Sequence, residues 1–251
     1  MAMSLERATG SSGAAATTCD SQSRVTRSLL GYGVIAGPIY VAVSLALAFT
    51  RQGFDVTRHA WSLLSTGDLG WIQVTNFVVT GMMTVAAAVG LRRAGIGRWT
   101  PRLVTAFGLS LVAAGVFRAD PADGFPVGTP AGPGAVSWHG MLHLLSGTVG
   151  FSCLIAACVV TARAFVHSGR RGWALYSGAA GVALFAGFAA MASGPHGGAT
   201  TLPFAAAVVL VWSWIPRTPS TCTGTPAEPA TPTDRPTTQS TGDTTCGTSS
   251  C

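Results

Sequence analysis

The sequence predicts an all-α fold, an integral membrane bundle of about six transmembrane helices. Three observations carry this reading. Hydrophobic residues make up 48% of the chain and charged ones only 10%, against about 25% charged in an ordinary soluble domain. The apolar residues gather in long runs bare of charge, and the arginines fall in alternate gaps between those runs. With a mean hydropathy of +0.45, lipid is the solvent for most of the chain.

Residues 1–28 are rich in Ser, Thr, Ala and Gly, carry Arg7, Arg24 and Arg27, and show no apolar periodicity, so they are expected to form a disordered cytoplasmic tail. The first span follows from Leu29 to Phe49, 21 residues without a charge. As a helix this is about 32 Å, enough to cross a hydrocarbon core of about 30 Å. Ala46-Leu47-Ala48 resembles a signal-peptide cleavage site, but the run is too long for a typical signal segment. The second span, Trp71 to Leu91, opens on a tryptophan at interfacial depth and ends at Arg92 and Arg93. The third, Leu103 to Phe117, is short and borrows length from flanks where Arg102 and Arg118 can snorkel to the headgroups. Trp138 to Ala162 and Trp173 to Ser193 form the fourth and fifth, each free of ionised side chains. The sixth, Thr201 to Ile215, contains Pro203, which suits a first helical turn. These runs make a transmembrane domain over 29–215.

The remaining segment, 216–251, has 22 Thr, Pro or Ser residues among 36, too polar and proline-rich to bury a core, and is expected to be disordered. Sorting the arginines over the alternating connections puts twelve on the side of both termini and only Arg51, Arg58 and Arg118 on the other. The positive-inside rule then assigns both termini to the cytoplasm of a bacterial plasma membrane, the arginine-only basic set and the many glycines and alanines resembling high-GC coding. The net charge of +6 is explained by this flanking and requires no nucleic-acid partner. All fifteen basic residues are arginine, which removes a P-loop lysine, a Schiff-base lysine and a Ser-Lys dyad. The cysteines contain no CxxC pair and predict no disulfide framework.

Small residues mark helix contacts: Gly33 and Gly37 form a GxxxG in the first span, and Ala179, Ala183 and Gly187 a stripe in the fifth. Gly31, Gly33 and Ala36 also fit the loose dinucleotide-binding expression, but no strand precedes them. Chemistry-bearing residues gather at the end poorer in arginine: Asp55, Asp68, Asp120 and Asp123, with His59, His139, His143 and His196. The sharpest element is His139-Gly-Met-Leu-His143, whose imidazoles lie one turn apart at a helix start and reach a common ion. A zinc site of His139 and His143, completed by Asp120, Asp123 or His59, is one expectation. The other is interfacial histidines hydrogen-bonded to loop backbone or Asp. A metalloprotease would carry Glu after the first histidine, where Gly140 stands.

The runs Asp55 to Arg58, Ser62-Leu63-Leu64-Ser65, Gly70-Trp71-Ile72-Gln73 with Asn76-Phe77, and Gly81 resemble the bacterial membrane family of domain of unknown function 998. So do Ala114-Gly115-Val116-Phe117 with Asp120-Pro121, Gly124-Phe125-Pro126 with Gly128, and His139 with His143. The likeness covers about residues 29–215 and implies a membrane architecture without an established activity. Ceramidase-like and adiponectin-receptor-like hydrolases also carry HxxxH, but their SxxxH has no counterpart here. Three function classes follow: a non-catalytic membrane component binding lipid or a protein partner, which is the default; a metal-dependent membrane hydrolase; and a small-solute transporter, which would need mid-membrane ionisable groups that these spans lack. The topology is checked by reporter fusions: those after Arg98 and Gly169 should read cytoplasmic and one after Gly128 external, and the reverse pattern contradicts the arginine assignment.

Overall fold

The computed structural model describes residues 7–193 and 198–215, with side chains for 22–193 and 199–215. The expectations for 1–6, for the 216–251 tail and for His196 lie outside the described residues. Among the described residues six α-helices follow one another: α1 (Arg7–Thr50), α2 (Gly70–Arg93), α3 (Trp99–Val116), α4 (Trp138–His167), α5 (Arg171–Ala192) and α6 (Gly198–Trp214). A 3-10 helix, Trp61–Ser65, lies between α1 and α2, and among the described residues there is no strand beyond one isolated bridge, Ala122 to Phe125. Five of the helices are long and apolar enough to cross a membrane, and α6 is a shorter apolar helix.

Four boundaries differ from the sequence reading by more than two residues, and one of them is the end of α4, which runs to His167 rather than Ala162. Helix α1 is already helical upstream of Leu29. Residues 22–28 contain neither Gly nor Pro, and the Thr26 hydroxyl donates back to the Gln22 carbonyl inside the helix. Helix α3 starts at Trp99 rather than Leu103, because Pro101 falls in its first turn, where a missing N–H costs nothing. Helix α6 starts at Gly198, so Pro203 lies beyond its first turn and withholds one N–H from the helix ladder.

The bundle buries polar side chains within an apolar core and turns apolar side chains outward. On α1 the buried stripe is Gly33, Ala36, Gly37, Tyr40, Ser44, Leu47 and Ala48, while Val34, Ile35, Ile39 and Phe49 point outward. Elsewhere Gln73, Asn76, Thr80, Thr84, Thr161 and Ser177 are buried, and Met82, Leu109, Leu144, Leu175 and Phe185 are exposed. Water would reverse this distribution. Hydrocarbon permits it, because outward apolar side chains lose nothing there and inward polar ones can pair across helices.

Short turns make neighbours antiparallel at the arginine-rich end. After α2, Gly95 at φ 71° lets its own N–H reach the Arg92 carbonyl and that of Ile96 reach Leu91. After α4, Gly169 at φ 73° does the same, with Gly169 bonded to Val166 and Arg170 to Phe165. Both are Schellman caps, which only a residue tolerant of positive φ closes without strain. Each helix packs on the next, and α6 closes the ring on α1.

Small residues set the seams. A Cβ at Gly81 would meet the Gly108 carbonyl oxygen at 2.7 Å, and one at Gly108 would meet that of Gly81 at 2.8 Å, so α2 and α3 touch backbone to backbone. Gly37 faces Trp212 of α6 at 3.0 Å, Gly33 faces Ala87 of α2 at 3.1 Å, and Gly187 faces the Phe204 backbone at 2.9 Å. The GxxxG of α1 therefore serves packing, whereas Ala179 of the expected α5 stripe is exposed. Gly81→Val should lower the thermal transition in detergent by the equivalent of about 1–3 kcal/mol, the usual cost of overpacking. Gly147→Ala, whose Cβ meets nothing within 4 Å, should leave it unchanged.

Candidate functional site

The described residues hold two concentrations of functional side chains, a folded cap at the loop-rich end and a groove at the arginine-rich end. The cap joins the connection 51–69 to the connection 117–137. Arg51, the first residue past α1, donates to the Leu64 carbonyl at 3.1 Å and the Thr66 carbonyl at 2.9 Å. Its guanidinium lies 4.9 Å from the centre of the Phe125 ring. Phe125 is fully buried against Phe54, ring to ring at 5.1 Å, and against His59 at 5.5 Å. Partial burial lowers the Arg51 pKa and the Asp68 carboxylate opposes that shift, so the side chain keeps its charge.

The sequence-predicted residues are engaged within this cap. His59 accepts from the Asp55 N–H at Nδ1, 2.9 Å, so Nε2 carries the proton and donates to the Asp123 carbonyl at 3.0 Å. Both its ring nitrogens are thereby occupied. His143 is buried on α4, and its Nδ1 donates to the Phe117 carbonyl at 2.8 Å and the Ala114 carbonyl at 3.0 Å. These are carbonyls that the end of α3 leaves without helical partners, so His143 caps one helix from another. Asp120 accepts from the Ser137 hydroxyl at 2.7 Å and the Ser137 N–H at 2.6 Å, and Ser137 in turn caps α4 by accepting from the Gly140 N–H at 3.1 Å. Gly140 is glycine because a Cβ there would run into the Asp120 carboxylate. The carboxylate sits where the α4 dipole favours negative charge.

His139 is exposed and stacks on Trp138 at 3.5 Å, with Phe117 at 6.2 Å. Asp123, in the left-handed region at φ 55°, serves the cap through its backbone, donating its N–H to Gly132 at 2.7 Å. Among the described residues no three of His, Cys, Asp and Glu are grouped to hold a metal ion. The structure thus brings His59 to Asp123 and clamps His143 and Asp120 on the α3–α4 corner, without converging the five on one point. Hydrogen bonds from the Thr57 hydroxyl and N–H hold the exposed Asp55 carboxyl below the usual carboxylate range. This contribution is present at neutral pH and is lost as pH falls through that lowered value.

Two features depend on the fold beyond what the sequence reading placed. One is a buried polar cluster between α1 and α2: Gln73 donates to Ser44 at 3.1 Å, and Asn76 donates to the Tyr40 carbonyl at 3.1 Å. The other is a groove of about 460 Å³ between α4 and α5, lined among others by Ile155, Val159, Val182 and Phe185, with Arg163 and His167 at one end. The signal for it was Gly178 with Gly181, three apart on α5 facing the last turns of α4. Gly181 lies 3.0 Å from the Cys158 Cβ, while a Cβ at Gly178 would meet nothing within 4 Å, so the helices touch at one glycine and leave space at the other. Inside the bundle a cavity of about 20 Å³ lies among Tyr40, Phe107, Leu154, Leu184 and Trp212.

His143→Ala strips two carbonyls of their donor and should lower stability by about 1–3 kcal/mol, read as a lower thermal transition in detergent. His139→Ala, on an exposed ring, should leave the transition within about 0.5 kcal/mol of wild type. Equal effects of the two would contradict the capping role.

Neither a curated protein nor a solved structure matches this chain. The family profile described as protein of unknown function (DUF998) matches residues 34–216, which takes in the loop-rich cap, the groove and the apolar helices. This multi-pass membrane protein of unknown activity belongs to the DUF998 family.

Proposed function

We propose that this chain is a non-catalytic membrane component that binds lipid, with the groove between α4 and α5 as the binding surface. The observation that carries the reading is the groove: about 460 Å³ with apolar walls, and wall residues Val182 and Phe185 exposed by 69% and 62%. A concave apolar surface open toward hydrocarbon is filled by acyl chains, since nothing else at that depth wets it. The arginine bias supports a plasma-membrane orientation with this end and both termini in the cytoplasm.

The hydrolase reading has less support, because His59, His143 and Asp120 are committed to carbonyls and helix ends. Transport has less support as well, since Tyr40, Phe107 and Trp212 pack against one another inside the bundle. Native mass spectrometry of protein released from mild detergent tests the proposal. The wild type should retain a phospholipid-mass adduct. Gly178→Leu, which places a side chain in the open part of the groove, should lose most of it while keeping its elution volume and thermal transition. A wild type without any adduct, or a folded Gly178→Leu variant as loaded as wild type, contradicts the proposal.

A further inference from the structure

We infer that the occupant of the α4–α5 groove is a glycerophospholipid with an anionic headgroup, held at its phosphate by Arg163 and His167; this rests on the lipid-binding reading above. The dimensions suit one lipid in one leaflet. From Ile155 to His167 the groove follows α4 for about 18 Å at 1.5 Å per residue, against about 15 Å for half of a hydrocarbon core. It therefore runs from the arginine-rich surface to about the bilayer midplane.

The polar groups fall where a headgroup would lie. Arg163 and His167 are four apart on α4, so they share one face, and both are exposed while lining the groove. Below them every lining residue named for the groove is apolar or glycine, down to Ile155 and Phe185. One charged end on an otherwise apolar trough is the complement of an anionic headgroup on an acyl chain.

Among the residues with described side chains, the surrounding field has one sign. Arg92, Arg93, Arg98, Arg102, Arg170 and Arg171 stand at the same end of the bundle. The carboxylates whose side chains are described, Asp55, Asp68, Asp120 and Asp123, are all in the connections at the opposite end. The α4 carbonyls that would repel an anion are partly neutralised by the Gly169 and Arg170 N–H groups. The N-terminal turn of α5, beginning at Arg171 beside the groove, adds a positive dipole end.

Anionic and zwitterionic headgroups both carry a phosphodiester, so selectivity lies beside it: a quaternary ammonium opposes the Arg163 guanidinium, and an uncharged glycerol does not. One basic residue near a membrane surface is worth roughly a fivefold preference for an anionic over a zwitterionic lipid. The test is a native mass-spectrometric titration of detergent-purified full chain with phosphatidylglycerol and phosphatidylcholine of identical acyl chains. Wild type should favour phosphatidylglycerol at least about fivefold. In Arg163→Gln/His167→Gln the ratio should fall toward one while phosphatidylcholine still binds, and Arg92→Gln/Arg93→Gln should keep the wild-type ratio.

Equal binding of both lipids by wild type overturns the headgroup assignment and leaves lipid binding standing. A preference that survives in Arg163→Gln/His167→Gln, or disappears equally in Arg92→Gln/Arg93→Gln, overturns it in favour of diffuse charge. Failure of every lipid to bind overturns both readings. Gly178→Leu separates groove from surface: anionic selectivity that persists there in a folded protein places the lipid elsewhere and likewise overturns the inference.

Discussion

The contact on which the bundle depends is the backbone approach of α2 to α3 at Gly81 and Gly108, where each glycine faces the other's carbonyl oxygen. Lipid gives helices no hydrophobic reason to associate, so cohesion comes from close packing and hydrogen bonds between helices. The remaining seams draw on the same two resources in different proportion. Ser44 with Gln73 ties α1 to α2, Thr100 lies 3.0 Å from Thr161 between α3 and α4, and the Trp214 indole donates to Ser177 at 2.9 Å between α6 and α5. Between α4 and α5 no hydrogen bond is made among the described residues. There the seam rests on Gly181 against Cys158 and on two aromatic pairs, Phe151 with Phe188 and Phe165 with Trp173. The groove lies along that seam, where lipid itself can complete the packing.

A second constraint shapes the loop-rich cap. Where helices end, carbonyls and N–H groups must find partners, and in a folded cap the partners are side chains. Arg51, His59, Asp120 and His143 answer that need, each bonding backbone at a helix end or a turn. Histidines and carboxylates gathered at one membrane face therefore satisfy structural demands that resemble the composition of a catalytic site. The same bonds orient the His59 ring, with Nδ1 accepting and Nε2 donating.

The helical membrane architecture was readable in the residues because long charge-free runs report directly on lipid. Each expected run overlaps one helix, with Phe117, Ser193 and Ile215 falling one residue past the helix ends, and Gly33 and Gly37 pack as their spacing implies. The α3 run was read from Leu103 because Arg102 interrupts the apolar residues, and the length it was expected to borrow from its flanks comes from Trp99 onward. The HxxxH spacing was visible, but periodicity along one helix does not say what faces it. His143 looks onto the end of α3, and Gly140 makes room for Asp120, both facts of tertiary placement. Gln73 and Asn76 stood out as polar residues in a span, while their pairing with Ser44 required the fold. The groove was least legible, since Gly178 and Gly181 differ in role only through what stands opposite each of them.

The central claim is that the α4–α5 seam is completed by a lipid. Its most direct measurement is an experimental structure of the full chain in a lipid nanodisc, at a resolution that separates acyl chains from helices. The account predicts continuous elongated density along Val159, Gly178 and Val182, ending in a compact feature beside Arg163. Helices α4 and α5 closed on each other along that length, with Gly178 in van der Waals contact with α4 and no lipid density between them, would contradict it.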